Sequence, residues 1–342
     1  MSNPKPLEIL WLANVRLLEN VRLAHTFLIE NGSLHTRQKK GVVDNSTVRP
    51  HTPFLSTFSA RMLYSRAMSS FTHQQIIVNR REERQRCNDA AARTNKPLRI
   101  GYINALRYWG APLPQHCALS LDSIHACVPK PNMRKRIQGV TFHTFSGKED
   151  YRKQDYERFW VCAPAMAWAQ MARHVTIEDL AIIGAALLRR DRRDKVATRT
   201  DLEHYIDDSP RFAGRAACLA ALPYIREDTD SPPETILLML LAKSGLGWPT
   251  PNYRVEVDGG YRLLDLAYPD CNVGFDYQGA YHADPAQMRA DAARFNQLHH
   301  QRWTIMQVTA DDLRTDESRQ RLLSMIIDVV TRQRHLAALR ML

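Results

Sequence analysis

A tight hairpin followed at once by a third strand constrains this chain more than any other stretch. Tyr253-Arg254-Val255-Glu256-Val257 and the run Tyr261–Tyr268 flank Asp258-Gly259-Gly260. Asp-Gly between two such runs predicts an antiparallel pair. After Pro269-Asp270 the chain re-enters a strand over 272–278. Alternation sends Val273, Phe275 and Tyr277 to one face and Gly274, Asp276 and Gln278 to the other, with Gly274 leaving room beside the acid. Asp265 interrupts the apolar end of the preceding strand, where a lone carboxylate is costly to bury unless it is paired or meets a cation.

The flanks of this unit are also legible. Ser231-Pro232-Pro233-Glu234-Thr235 is a helix entry, with Ser231 as N-cap and proline in the first turn. Glu234 then falls in the first turn, where it either stabilises the helix dipole or serves the same chemistry as the strand acids. Beyond Tyr281-His282 and Asp284-Pro285 a helix carries Asp291 and Arg294 as an i,i+3 pair. Residues 303–309 form a buried strand, and a last amphipathic helix from about Ser318 buries Leu322, Leu323, Ile326, Ile327 and Val330. Two strand carboxylates and a helix carboxylate offer the hard oxygen ligands that Mg²⁺ prefers. Asp265, Asp276 and Glu234 are thus candidate ligands for Mg²⁺ (or Mn²⁺), placed to act on a phosphodiester.

The rest of the chain looks basic. Of the net charge of +11, residues 1–100 carry +9 and residues 229–342 carry −2. That asymmetry suits a front half that attracts a polyanion and a back half that holds the chemistry or a cation. Residues 7–31 read as one or two helices and 35–53 as a polar linker. Residues 59–68 read as a helix and Gln75-Ile76-Ile77-Val78 as a strand. The arginine-rich run Arg80–Arg86 is either a solvated helix face with Glu–Arg pairs or a grip on phosphate through Arg80, Arg81 and Arg84. Gly101–Trp109 reads as a short helix. The strand-like 125–129 and 139–144 enclose a basic turn with Lys130, Arg134, Lys135 and Arg136, together an antiparallel β-rich unit. From 163 to 222 the pattern is helical, with Thr176 as an N-cap, Arg189–Arg193 closing that helix, and Thr200-Asp201-Leu202-Glu203 opening another. No apolar run approaches a membrane span and no signal-peptide layout opens the chain, so a cytoplasmic protein is expected. Six scattered cysteines without a CxxC pair fit reduced thiols.

Ser231–Thr235, Leu264-Asp265-Leu266-Ala267-Tyr268-Pro269, Asp276-Tyr277-Gln278-Gly279, Tyr281-His282, Asp291-Ala292-Ala293-Arg294 and Val308-Thr309-Ala310-Asp311-Asp312-Leu313 occur in that order. The series resembles an endonuclease-like family of unknown function common in actinobacteria. That family is related to very-short-patch-repair endonucleases and the PD-(D/E)XK superfamily. Trp109–Pro114 and Ala185–Arg190 look like its upstream, abortive-infection antitoxin-like region. The resemblance implies an α/β (α+β overall) chain with a restriction-endonuclease-like mixed sheet over 229–342. Before it would come a helical appendage and linker (1–55), a basic α/β accessory domain suited to DNA binding (56–160) and a helical connector (161–228). It implies Glu234 as the helix acid, Asp265 and Asp276 as strand ligands, and Gln278 where the superfamily has lysine. His282 becomes a substitute acid/base or phosphate ligand, and Asp291 and Arg294 become support. The expected function is Mg²⁺-dependent DNA cleavage, with DNA as partner and no small-molecule cofactor. The alternative is a catalytically degenerate DNA-binding or antitoxin-like regulator. The oligomeric state is open.

Overall fold

The computed structural model describes residues 73–340, apart from Asp228, Asp230, 258–259 and 279–284, with only the backbone of 285–291. The helices expected over 7–31 and 59–68 lie outside the described residues. By compactness the chain divides into Met1–Pro53 and Phe54–Leu342, and everything below belongs to the second unit.

The described chain opens with α1 (His73–Ala91). The strand expected at Gln75–Val78 is therefore helical. Its β-branched residues do not form a buried run: Ile76 is buried while Ile77 and Val78 face solvent. Gln75 donates to Asn79 at 3.0 Å and Gln85 to Asp89 at 2.8 Å, side-chain bonds that only a helical turn brings together.

A five-stranded sheet follows, built from β1 (Leu98–Ile100), β2 (Ile124–Cys127), β3 (Val140–His143), β4 (Tyr151–Arg152) and β5 (Phe159–Cys162). Its order is β3-β2-β1-β5-β4, with β2–β3 and β1–β5 parallel. The sheet is mixed rather than antiparallel. After β1 the chain forms α2 (Tyr102–Tyr108), so β2 does not pair with β1 as a simple hairpin.

The helical middle comprises α3 (Pro164–Met171), α4 (Ile177–Leu187), α5 (Arg199–Asp208) and α6 (Arg215–Ala221). Thr176 caps α4 by accepting from the Asp179 N–H. The α4 helix ends at Leu187, ahead of the arginines, and α5 starts one residue before Thr200. Thr198 and Asp201 form its capping box, while Glu203 pairs with Arg199. One apolar core joins these helices to the five-stranded sheet. Ile100, Val161, Met166, Trp168, Leu180 and Ile225 all lie in it, so the β-rich unit and the helical connector share an interior.

The second sheet contains β6 (Thr250–Val257), β7 (Gly260–Tyr268), β8 (Val273–Gln278) and β9 (Thr304–Thr309), in that order. The first two pairings are antiparallel, and β8–β9 is parallel across the crossover helix α8 (Pro285–His300). On one face α7 (Pro232–Ala242) and α9 (Asp316–Leu339) bury Leu237, Leu238, Leu322, Ile326 and Val330 against Leu266, Val273 and Phe275. Leu323 and Ile327 are only half-buried at the margin of that stripe. On the other face Leu298 and Trp303 pack with Val255, Leu264 and Ala267. Met239 reaches into the first core, and Arg319 of α9 makes two 3.0 Å bonds to Glu178 of α4. The chain is an α+β protein with two mixed sheets flanked by helices.

Candidate active site

Asp265 and Asp276 come together where β7 and β8 separate. The paired register covers Tyr268↔Val273, Ala267↔Gly274 and Leu266↔Phe275. One residue further on, the two acids face each other. There the Tyr277 N–H donates to Asp265 Oδ2 at 2.7 Å, so a side chain takes up the backbone donor. Gly274 was expected to leave room beside the acid, and it does not. A Cβ there would lie 2.5 Å from Leu264 Cδ1 and 3.1 Å from Ile305 Cδ1, so the space belongs to the core.

Asp276 is buried. Arg294, from the middle of α8, donates to Asp276 Oδ1 at 2.7 Å and to the Leu263 carbonyl at 2.6 Å. Arg294 is thus a direct partner of the acid. A second guanidinium approaches from outside this sheet: Arg190 donates to Asn252 Oδ1 at 2.9 Å and helps to offset the charge of Asp265. Even so, the Asp265 carboxyl is pushed up to about 6. Burial contributes most to this and the neighbouring Asp276 charge next, against the Tyr277 N–H and the two arginines. A half-buried carboxyl and a buried one thus stand side by side, and loss of water holds Asp265 towards its neutral form.

Glu234 does not complete a three-ligand cluster with this pair. It sits in the first turn of α7, where Ser231 Oγ donates to its Oε1 at 2.6 Å and accepts from its N–H at 3.5 Å. Ser231 is thus the N-cap of α7, and its hydroxyl also engages the Glu234 carboxylate. Among the described residues, one group of three such side chains has all its ligand atoms within 4.8 Å: His73, Asp191 and Asp194. Sequence reasoning missed that group because 121 positions separate His73 from Asp194. His73 Nδ1 lies 2.7 Å from Asp194, Arg80 reaches the same carboxylate at 3.4 Å, and Arg193 grips Asp191. Both carboxylates therefore face guanidinium groups, and the cluster anchors α1 to the turn after α4.

Gln278, which the resemblance aligns with the superfamily's lysine, ends β8 in register with Thr309 and is half-buried. His282 and the Asp291 side chain lie outside the described residues. The Asp311-Asp312 motif is a turn: Asp312 accepts from the Thr309 N–H at 2.9 Å and from its hydroxyl at 2.7 Å.

The expected DNA-contacting residues divide into two sets. Arg80 binds Asp194 and the Trp109 carbonyl, and Arg84 binds Glu157 at 2.7 Å, so both are engaged by the fold. Arg81 is exposed on α1, as are Lys130, Arg134, Lys135 and Arg136 between β2 and β3. Among the described residues, no helix is long and apolar enough to cross a membrane.

The chain is similar to two proteins of Mycobacterium tuberculosis, the uncharacterized proteins MT2308 (strain CDC 1551) and Rv2248 (strain H37Rv). Each is 28% identical over 200 residues, which is 58% of this chain and 70% of the relative. No family model and no solved structure matches.

Proposed function

We propose that this chain is a metal-dependent DNA endonuclease of restriction-endonuclease-like fold, acting in the cytoplasm, with Asp265 and Asp276 as its metal-binding pair. The observation that carries this reading is the meeting of two strand carboxylates, Asp265 on β7 and the buried Asp276 on β8, with the Tyr277 N–H donating to Asp265 and Arg294 donating to Asp276. Mg²⁺ is commonly held by one or two carboxylates together with substrate phosphates, so the pair suits it without Glu234. When bound there, Mg²⁺ or Mn²⁺ would supply Lewis-acid stabilisation of phosphate charge and a more acidic attacking water. Arg294 fixes the Asp276 rotamer. Gln278, beside Asp276 on β8, can orient a water by hydrogen bonding but brings no positive charge to the phosphate. The acid-poor segment around Lys130–Arg136 draws DNA towards the chain.

One observation favours a second reading. Arg294 already places a cation 2.7 Å from Asp276, and that pair is what a catalytically degenerate DNA-binding or antitoxin-like regulator would retain. Plasmid nicking in Mg²⁺ or Mn²⁺ separates the two, with calorimetric titration of the metal alone as a parallel readout. A nuclease is expected to cleave, and Asp265→Ala or Asp276→Ala to lower the rate at least about 100-fold, the order of losing a principal electrostatic element. Equal residual cleavage in all three proteins would assign the activity to a contaminant. No cleavage and no metal uptake would leave the regulator.

A further inference from the structure

The five-stranded sheet carries a cavity of about 350 Å³, remote in sequence from the acid pair. We infer that this cavity accepts one unpaired nucleobase of single-stranded DNA, with the adjoining phosphates on Lys96, Lys135 and the Lys130–Arg136 segment. Its volume lies within the range of small-ligand pockets. Phe142, Trp160 and Met133 supply an apolar lining, and Trp160 is 40% and Met133 52% exposed. Large side chains left this open at a concavity are what a stacking ligand covers. Arg99, in register with Trp160, is steadied by Glu149 at 3.1 Å and lies over the Tyr151 ring. Lys96 and Lys135 line the same cavity and make no ion pair among the described residues.

Charge selects the class of occupant. From residue 90 to residue 148 the chain has nine lysines and arginines and a single carboxylate, Asp122. An apolar slot with aromatic walls inside such a segment matches a base flanked by phosphates. An acidic peptide would satisfy the lysines but leave Phe142 and Trp160 without a partner. A duplex keeps its base faces stacked inside the helix, so only an unpaired base can enter.

The test is fluorescence anisotropy of the full chain in EDTA, which removes any dependence on cleavage and keeps this inference separable from the proposed activity. The probe is a labelled oligothymidylate of about a dozen residues, compared with a duplex of equal length. The single strand is expected to bind more tightly than the duplex. Trp160→Ala should weaken single-strand binding about tenfold, the order of one lost base–aromatic stack, with Trp160→Phe retaining most of it. The salt dependence should not change in Trp160→Ala, and it should become shallower in the Lys96→Glu/Lys135→Glu variant. Circular dichroism confirms that each variant is folded, and the two lysines are exposed and outside the core. Unchanged affinity in folded Trp160→Ala, tighter binding of the duplex, or equal competition by polyglutamate would each overturn the inference.

Discussion

Replacing Asp265 by asparagine is expected to leave stability near pH 4 almost unchanged and to raise it at pH 8. In the folded chain this carboxyl sits near 6 rather than at its ordinary 3.8. Below about pH 4 it is neutral in both folded and unfolded chains and costs nothing. Between pH 4 and 6 the unfolded chain releases the proton while the folded chain keeps it, so stability falls as pH rises. Above pH 6 the full penalty applies, about 3 kcal/mol for a displacement of this size. Asparagine resembles the protonated acid and can still accept from the Tyr277 N–H, so the variant lacks the slope. Urea unfolding at pH 4 and pH 8 reads the difference, and parallel pH profiles for the two proteins would refute it. A cation held by the pair should flatten the wild-type profile in the same way, so repeating the titration in Mg²⁺ reports binding without reference to cleavage.

Glu83→Ala is expected to cost about 3–5 kcal/mol, the range for breaking a buried ion pair from one side. Glu83 on α1 is fully buried. Its Oε2 accepts from Arg86 at 2.9 Å and faces Arg107 at 3.1 Å, and its Oε1 accepts from the Asn104 amide at 2.7 Å. Asn104 in turn accepts from the His125 N–H of β2 at 2.7 Å, so one carboxylate ties α1 to α2 and the sheet. Removing it strands Arg107, itself buried. Glu83→Gln keeps the amide-scale hydrogen bonds but not the charge, and should fall between wild type and alanine. Chemical denaturation ranks the three. A cost below about 1 kcal/mol for alanine would mean that water replaces the carboxylate, and the network would then not be structural.

The second sheet was readable because its signals are local. The turn after Val257 fixes the β6–β7 register, Pro269-Asp270 ends β7, and alternation over β8 assigns Asp276 to the Arg294 side. The first sheet was not, because β1 has three residues and β4 two, too few for any period to show. Their partners are fixed by the shared interior, not by turns. Ile76-Ile77-Val78 misled for the related reason that tertiary contacts override β-propensity. Within the candidate site, the placing of Asp265 and Asp276 on successive strands was legible, but their register was not. Nor was the grip of Arg294 on Asp276, since a crossover separates them. Glu234 carried two local meanings, and its bonds with Ser231 satisfy the simpler one, a helix start. Arg80 and Arg84 carried two readings from their neighbours in sequence, a solvated helix face or phosphate ligands. Their actual partners, Asp194 and Glu157, lie 114 and 73 residues away.

The parallel pairing of β8 with β9 also gives the acid pair a place in time. β6, β7 and β8 join through short local turns, whereas β9 must wait for the 25 residues between Gln278 and Thr304 to close around α8. Non-local pairing of this kind forms after local hairpins because loop closure comes first. The strands that bear Asp265 and Asp276 are therefore expected to meet before Arg294 arrives, leaving like charges facing each other until the crossover docks. Arg294→Ala should then accelerate unfolding and leave the refolding rate nearly unchanged in stopped-flow measurements. A comparable slowing of refolding would instead place the guanidinium in the folding nucleus.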